Sequence, residues 1–315
     1  VARLVDCEVQ RSGRTGIKFF LNSSGLLQGT IISSNNTLAG IDIQLNSSIM
    51  VDGLSESTAG NPSILIVSNN SRQGILIQES SSLFSYGSEL TAQANQRDSV
   101  TVAYASSLKL LSSNNWHIEN GGRRGLFLFN SSECNIDAGS TLTINNNKIR
   151  GLYILNGSSL YSEGTLTVTN TTEGNGYGIY VLQNSAFFSY DSALTVRNNS
   201  GDGINVSGNS SFSLYGISKS NNISNNAGNG LAFTKNSMGL IFGAIVSIKD
   251  NDRFGVLGED GVSLEIQGPD ISNNNDNDVF LGFGTRGTFM NSNLDPEKIV
   301  CDEDGVLTRG DRSCP

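Results

Sequence analysis

Two sets of side chains in this 315-residue chain are of types that handle acidic sugars. Arg72, Arg97, Arg123, Arg124, Lys148 and Arg150 recur at short intervals, and the aromatics Phe127, Tyr153 and Tyr180 follow at matching spacing. Guanidinium groups bind carboxylates bidentately, and aromatic rings suit the apolar faces of sugars. A basic stripe beside an aromatic ladder therefore fits a uronate or sulfated polysaccharide, with Arg97, Arg123, Arg124, Phe127, Tyr153 and Tyr180 as the carbohydrate-binding candidates. The same ladder also works as cross-strand packing, and the same charges as solvated surface. The only histidine, His117, stands in Asn114-Asn-Trp-His-Ile-Glu119. Acting as a base, with Tyr153, Lys148 or Arg150 completing the site, it could abstract the proton α to a uronate carboxylate. A lone histidine is more often a surface residue, and Trp116 beside it reads as core. No motif fixes an active site.

These residues ride on a repeat. Gly16-Ile17, Gly40-Ile41, Gly74-Ile75, Gly125-Leu126, Gly151-Leu152, Gly178-Ile179, Gly203-Ile204, Gly230-Leu231 and Gly255-Val256 each open a unit. Ser99-Val100 fills the missing start, and Asp278-Val279 opens the last unit. Successive starts lie 23 to 27 residues apart, except for one step of 34 between Gly40 and Gly74. Such a period marks a solenoid, in which each unit buries its apolar face against its neighbours.

Within residues 151–177 three short alternating runs appear: Leu152-Tyr-Ile154, Ser159-Leu-Tyr161 and Leu166-Thr-Val168. Period-two alternation is the sign of a half-buried strand, and no stretch carries helical spacing of apolar residues. The expectation is an all-β, right-handed parallel β-helix of about 11 coils with three short strands per coil. Asn pairs (35–36, 69–70, 114–115, 145–146, 198–199 and 225–226) follow the third strand and read as an amide ladder at one corner. Asn-x-Ser/Thr sequons at Asn22, Asn35, Asn46, Asn69, Asn130, Asn156, Asn170, Asn198, Asn205, Asn209 and Asn222 read as products of the same corners.

The solenoid is expected over residues 1–291 as one domain, with 292–315 a tail closed by a Cys301–Cys314 disulfide. That bond would contribute about 3 kcal/mol and favours a secreted or cell-surface location. Cys7 and Cys134 lie about five coils apart, too far to pair at about 4.8 Å per coil. They are expected as free thiols, with Cys134 in the core. The segment from Leu4 to Val9 reads as the third strand of a coil whose earlier strands are missing. Its open edge would suit pairing with another copy or another β-helix, up to an end-to-end filament. A net charge of −9 argues against nucleic acid, and no apolar run approaches the ~18 residues of a membrane span.

Units of Gly-Ile-x-Val, Ser-Ser-Leu-x-x-x-Gly and Leu-Thr-Val-x-Asn-Asn resemble the right-handed parallel β-helix proteins of the pectate-lyase-like superfamily, from about Leu4 to about Asn291. The resemblance implies that a site would lie on an outer face, along the first strand and its corners. The outward residues there are Lys18/Phe20, Asp42/Gln44, Leu76/Gln78, Thr101/Ala103, Phe127/Phe129, Tyr153/Leu155, Tyr180/Leu182 and Asn205/Ser207. Phe127, Tyr153 and Tyr180 are thus expected as an exposed ladder. The basic corner runs from Arg72 to Arg150, with Arg14 two coils earlier. Glu173, Asp202, Asp250, Asp252, Asp276 and Asp278 take that corner later, with Arg253 the exception.

The Gly-His-Gly of galacturonan hydrolases, the Asp-Pro-His of alginate epimerases and the calcium cluster of pectate lyases are all missing. No cofactor is implied, and calcium at Asp250, Asp252, Asp276 and Asp278 lacks the Gly-Gly-x-Gly-x-Asp repeat of β-rolls. The expected function is a structural, adhesive or carbohydrate-binding β-helix whose face on coils three to seven meets an acidic polysaccharide or cell-surface glycan. A polysaccharide lyase or epimerase is the alternative.

Overall fold

The computed structural model describes residues 1–53, 62–243, 245–302 and 305–307. The chain winds into a parallel β-solenoid of about 11 turns, the all-β repeat architecture expected from the period. In a representative turn the strands are Arg150–Leu155, Ser159–Ser162 and Thr165–Thr169, and each pairs in parallel with its counterparts in the turns before and after. First strands stack into a 12-stranded sheet. Second and third strands form two further columns, joined into one 22-stranded sheet because Ala2–Gln10 and Ser24–Ser34 each run through both. The segment from Leu4 to Val9 is therefore more than a third strand. Ala2 to Val5 pairs in the second column and Cys7 to Gln10 in the third, with the register shift at Asp6 between them. The long step between Gly40 and Gly74 takes its extra residues after Asp52, and 54–61 lie outside the described residues.

Register puts like residue over like. Ile17, Ile41, Ile75, Val100, Leu126, Leu152, Ile179 and Ile204 form one inward file, buried throughout. Where a file admits a large ring, the opposite wall gives way: a Cβ on Gly239 would lie 2.6 Å from Phe233, so the glycine makes room for the ring. Trp116 is wholly buried and donates its indole N–H to Ser85 Oγ at 3.3 Å, and Cys134 is a buried free thiol. Burial lifts the Cys134 thiol far above its ordinary pKa, which makes it inert. Cys7 is likewise free, and Cys314 lies outside the described residues.

The amide ladder exists at the third corner. Asn36 donates to Asn70 at 2.9 Å, Asn70 to Asn95 at 2.9 Å, Asn199 to Asn226 at 2.9 Å, Asn226 to Asn251 at 3.0 Å and Asn251 to Asn274 at 2.9 Å. The residue before each rung takes the left-handed backbone, as at Asn35, Asn69, Asn198 and Asn225. Two of the expected pairs shift. At the 145–146 pair the rung is Asn147, with Asn146 left-handed, and Asn114 belongs to the corner between second and third strands. Stacked amides also explain the unit-opening glycines: a Cβ on Gly178 would meet Asn199 Nδ2 at 2.6 Å and the Gly203 carbonyl at 2.6 Å. Ser99 breaks the pattern because Gly121 replaces the next rung. A Cβ on Gly121 would approach Ser99 Oγ to 2.8 Å, so one position is small wherever the other is large.

The serines of the corner after the first strand are structural too. At the first corner Ser47, Ser81, Ser106, Ser132, Ser158 and Ser210 each accept a backbone N–H from the turn before.

Candidate glycan-binding groove

The candidate side chains sit on or beside the first-strand column. The corner entering that column stacks Arg72, Arg97 and Arg123 in direct succession, each N–H bonding to the carbonyl below: Arg97 to Arg72 and Arg123 to Arg97, both at 3.2 Å. With about 4.8 Å between turns, three exposed guanidiniums form a row along the solenoid axis. None of the three has a carboxylate partner among the described residues. Arg124, one residue further on, differs. Its guanidinium grips the buried Asp98 through Nε at 2.6 Å and Nη2 at 2.8 Å, and its carbon lies 3.6 Å from the Phe127 ring centre. That cation holds the wall in place and is spent on its own protein.

Beside the row runs an open groove of about 540 Å³ over the first five turns. Arg72, Arg97, Arg123 and Arg124 form one wall; Asp42, Leu76, Thr101 and Phe127 form the floor; Gln44, Gln78, Tyr104 and Phe129 form the far side. Thr101 and Ala103, both small, also line it. Asp42 is buried. Its Oδ2 accepts from Gln44 at 2.8 Å and faces Lys18 Nζ at 3.9 Å, while Oδ1 has no hydrogen-bond partner. Burial raises its pKa, with Lys18 opposing and the nearby Glu79 adding to the rise.

The aromatic ladder is built as the spacing suggests, but its rings are sheltered. Phe127 and Tyr153 are 9% and 7% exposed. Their rings stack at 5.2 Å and 16°, and Tyr153 stacks on Tyr180 at 5.3 Å and 9°. Arg150 adds its guanidinium 4.4 Å from Tyr153 and 5.0 Å from Tyr180. Ring faces that a sugar would need are thus occupied by other rings and by cations. The ring that does stand out is Tyr104, half exposed at the groove's edge and edge-on to Phe129 at 5.7 Å. Sequence reading passed over it because it follows the strand by one residue, at the left-handed corner (φ 56°). An aromatic at a left-handed corner position that carries none in the other described turns was the available signal.

Of the residues of the lyase reading, only Arg150 and Tyr153 are brought together. His117 is exposed on the third-strand column, between Thr91 and Thr143, and does not line the groove. Lys148 pairs with Glu173 at 3.3 Å on the surface. Burial raises the Tyr153 pKa against the pull of Arg150 and Arg124, the opposite of what a phenolate base needs. Among the described residues no three His, Cys, Asp or Glu side chains group as metal ligands, and no helix is long and apolar enough to cross a membrane. No family model and no curated protein matches this chain.

Proposed function

We propose that this protein is an extracellular or cell-surface β-helix, of the pectate-lyase-like kind, that binds an acidic glycan along its first five turns. The observation that carries the reading is the row of Arg72, Arg97 and Arg123, exposed and free of carboxylate partners among the described residues, along one wall of an open groove. On a chain of net charge −9, a cationic strip of this kind recruits polyanions locally while the rest of the surface repels them. Tyr104 supplies the exposed ring, and Gln44 and Gln78 supply amides for hydroxyl groups.

The test is a glycan array spanning uronate, sulfated and neutral polymers, with an ultraviolet assay for unsaturated products run on the same samples. Binding of anionic polymers that weakens in Arg97→Ala/Arg123→Ala and in Tyr104→Ala supports the reading. Binding that survives those changes sinks it, and unsaturated products would restore the lyase alternative.

A further inference from the structure

Second and third strands share the same turns but differ in what they turn outward. Along the middle of the third-strand column stand His117, Thr143, Thr167, Thr195 and Asn222, a polar file in register. The second-strand column carries two apolar blocks instead. Met50, Phe84, Tyr86 and Leu111 form the first; Tyr161, Phe188, Tyr190, Tyr215, Leu240 and Phe242 form the second. A polar turn bearing Asn135 and Asp137 parts them. Met50 is 41% exposed, Tyr190 43%, Met238 beside Leu240 49%, and Ile217 at the corner leaving the strand 63%. A soluble monomer rarely leaves so much contiguous apolar surface open. The rings are poor sugar platforms, because their faces cover one another. Tyr161 stacks on Phe188 at 5.4 Å and 6°, and Tyr215 on Phe242 at 5.4 Å and 15°. Ring edges, Met238 and Ile217 remain for contact, which suits close packing against protein.

We infer that this face is a homodimer interface, on which a second copy of the chain packs antiparallel about a two-fold axis through the polar turn. The area is sufficient. Eight second strands run from Ser48–Asp52 to Met238–Phe242. At about 4.8 Å between strands and about 3.3 Å per residue they cover about 600 Å² in projection. Side-chain relief brings that to the order of the roughly 800 Å² of accessible surface per partner in a stable complex.

The order of residues along the column sets the orientation. Antiparallel packing lays the first block of one copy on the second block of the other, so Phe84 and Tyr86 meet Phe188 and Tyr190. Lys109 lies one turn before the polar turn and Glu163 one turn after it, so each Lys109 faces the turn that carries the second copy's Glu163. Parallel packing would instead set Lys109 on Lys109. Glu133 and Asp137 meet their own images in the antiparallel pair, but at the two ends of the strand, where water screens them. The groove lies on the separate first-strand sheet and stays open in both copies, so the inference stands apart from the glycan reading.

The experiment is sedimentation velocity of the full chain from about 1 to about 100 µM, with a melting curve for every variant. Wild type is expected as a dimer of the 33.4 kDa chain. Tyr190→Asp/Met238→Lys, at two exposed positions, should weaken the dimer about tenfold or more with the thermal midpoint unmoved. Thr167→Asp, on the polar column, should leave it intact. Lys109→Glu and Glu163→Lys should each weaken association, and the two together should restore it. A chain still monomeric at about 100 µM overturns the inference and leaves the face to a different protein. A dimer that survives Tyr190→Asp/Met238→Lys, or dissociates in Thr167→Asp, overturns it as well. A charge-swapped double variant no tighter than its single parents overturns the antiparallel pairing.

Discussion

The first-strand face divides at Phe127 into two halves built from the same repeat. Before it, the outward positions are Asp42, Leu76 and Thr101, and the surface sinks into a groove; after it, Tyr153 and Tyr180 fill the same file and close it. Arg124 and Arg150 stand in register on adjacent turns, yet one is locked to Asp98 and the other is packed against tyrosines, with no carboxylate partner among the described residues. In a solenoid, a residue's chemistry is decided less by its own turn than by the side chains one turn above and below. Aromatic over aromatic gives a sealed stack, while small over small gives a place for a ligand.

The sharpest way to break this comparison is at the join. Asp98→Ala leaves Arg124 part-buried and unpaired, and is expected to cost about 3–5 kcal/mol, read as a large fall in thermal midpoint. Arg150→Gln, at the matching position, should shift the midpoint far less, because no ion pair is lost. Equal losses would mean that the Asp98 pair is not what fixes the wall.

Stability and binding should also separate between the halves. Tyr153→Ala opens the sealed stack and is expected to cost about 2–3 kcal/mol while leaving polyanion affinity unchanged. Arg123→Ala should do the reverse, with affinity lost and the melting curve unmoved, since its side chain is exposed. A Tyr153→Ala protein that folds normally but no longer binds would return the site to the tyrosine ladder.

A smaller effect is expected where the amide ladder is interrupted just before the arginine wall. Gly121→Asn alone crowds Ser99 and should destabilise; Ser99→Gly alone leaves space and should cost less. Together they recreate the glycine-and-rung arrangement of the other turns, with Asn147 Oδ1 placed to accept from the new amide. The double variant should therefore recover stability, with a coupling of about 1 kcal/mol in a mutant cycle. Additive losses would show that the Ser99–Gly121 size exchange has no energetic meaning.

Much of this architecture was legible in the residues. Period, three strands per turn, the inward files and the burial of Trp116 and Cys134 follow from alternation between Gly and Asn corners, because a stacked repeat repeats its environment. The ladder was legible too, but its phase slipped at the 145–146 pair, where three consecutive asparagines offer more than one register. Shelter was not legible. Alternation places Phe127, Tyr153 and Tyr180 on the outer side correctly, yet says nothing about what leans over them, and Arg124 and Arg150 do so from the first position of the strand. The groove was missed for the complementary reason: its lining includes Thr101 and Ala103, and small residues announce no chemistry.

The smallest expected effect compares the two buried acids of the groove under one chemical change. Asp98 accepts a bidentate guanidinium, so Asp98→Asn removes an ion pair that the fold uses and should destabilise. Asp42 is held above its ordinary pKa, so the folded state binds its proton more readily than the unfolded chain. Its contribution to stability is therefore most favourable in acid and is lost as pH rises through the raised value. Asp42→Asn fixes the neutral form and keeps an oxygen for Gln44, so it should raise the thermal midpoint at pH 7 by an amount within about 1 kcal/mol. Below the ordinary aspartate range, about pH 4, both proteins carry a neutral side chain and the difference should vanish. Melting curves of the two variants across that range check the sign. If Asp42→Asn destabilised at neutral pH as Asp98→Asn does, the Asp42 carboxylate would have to be held by Lys18 as tightly as Asp98 is by Arg124, and the groove floor would be charged rather than poised to take up a proton.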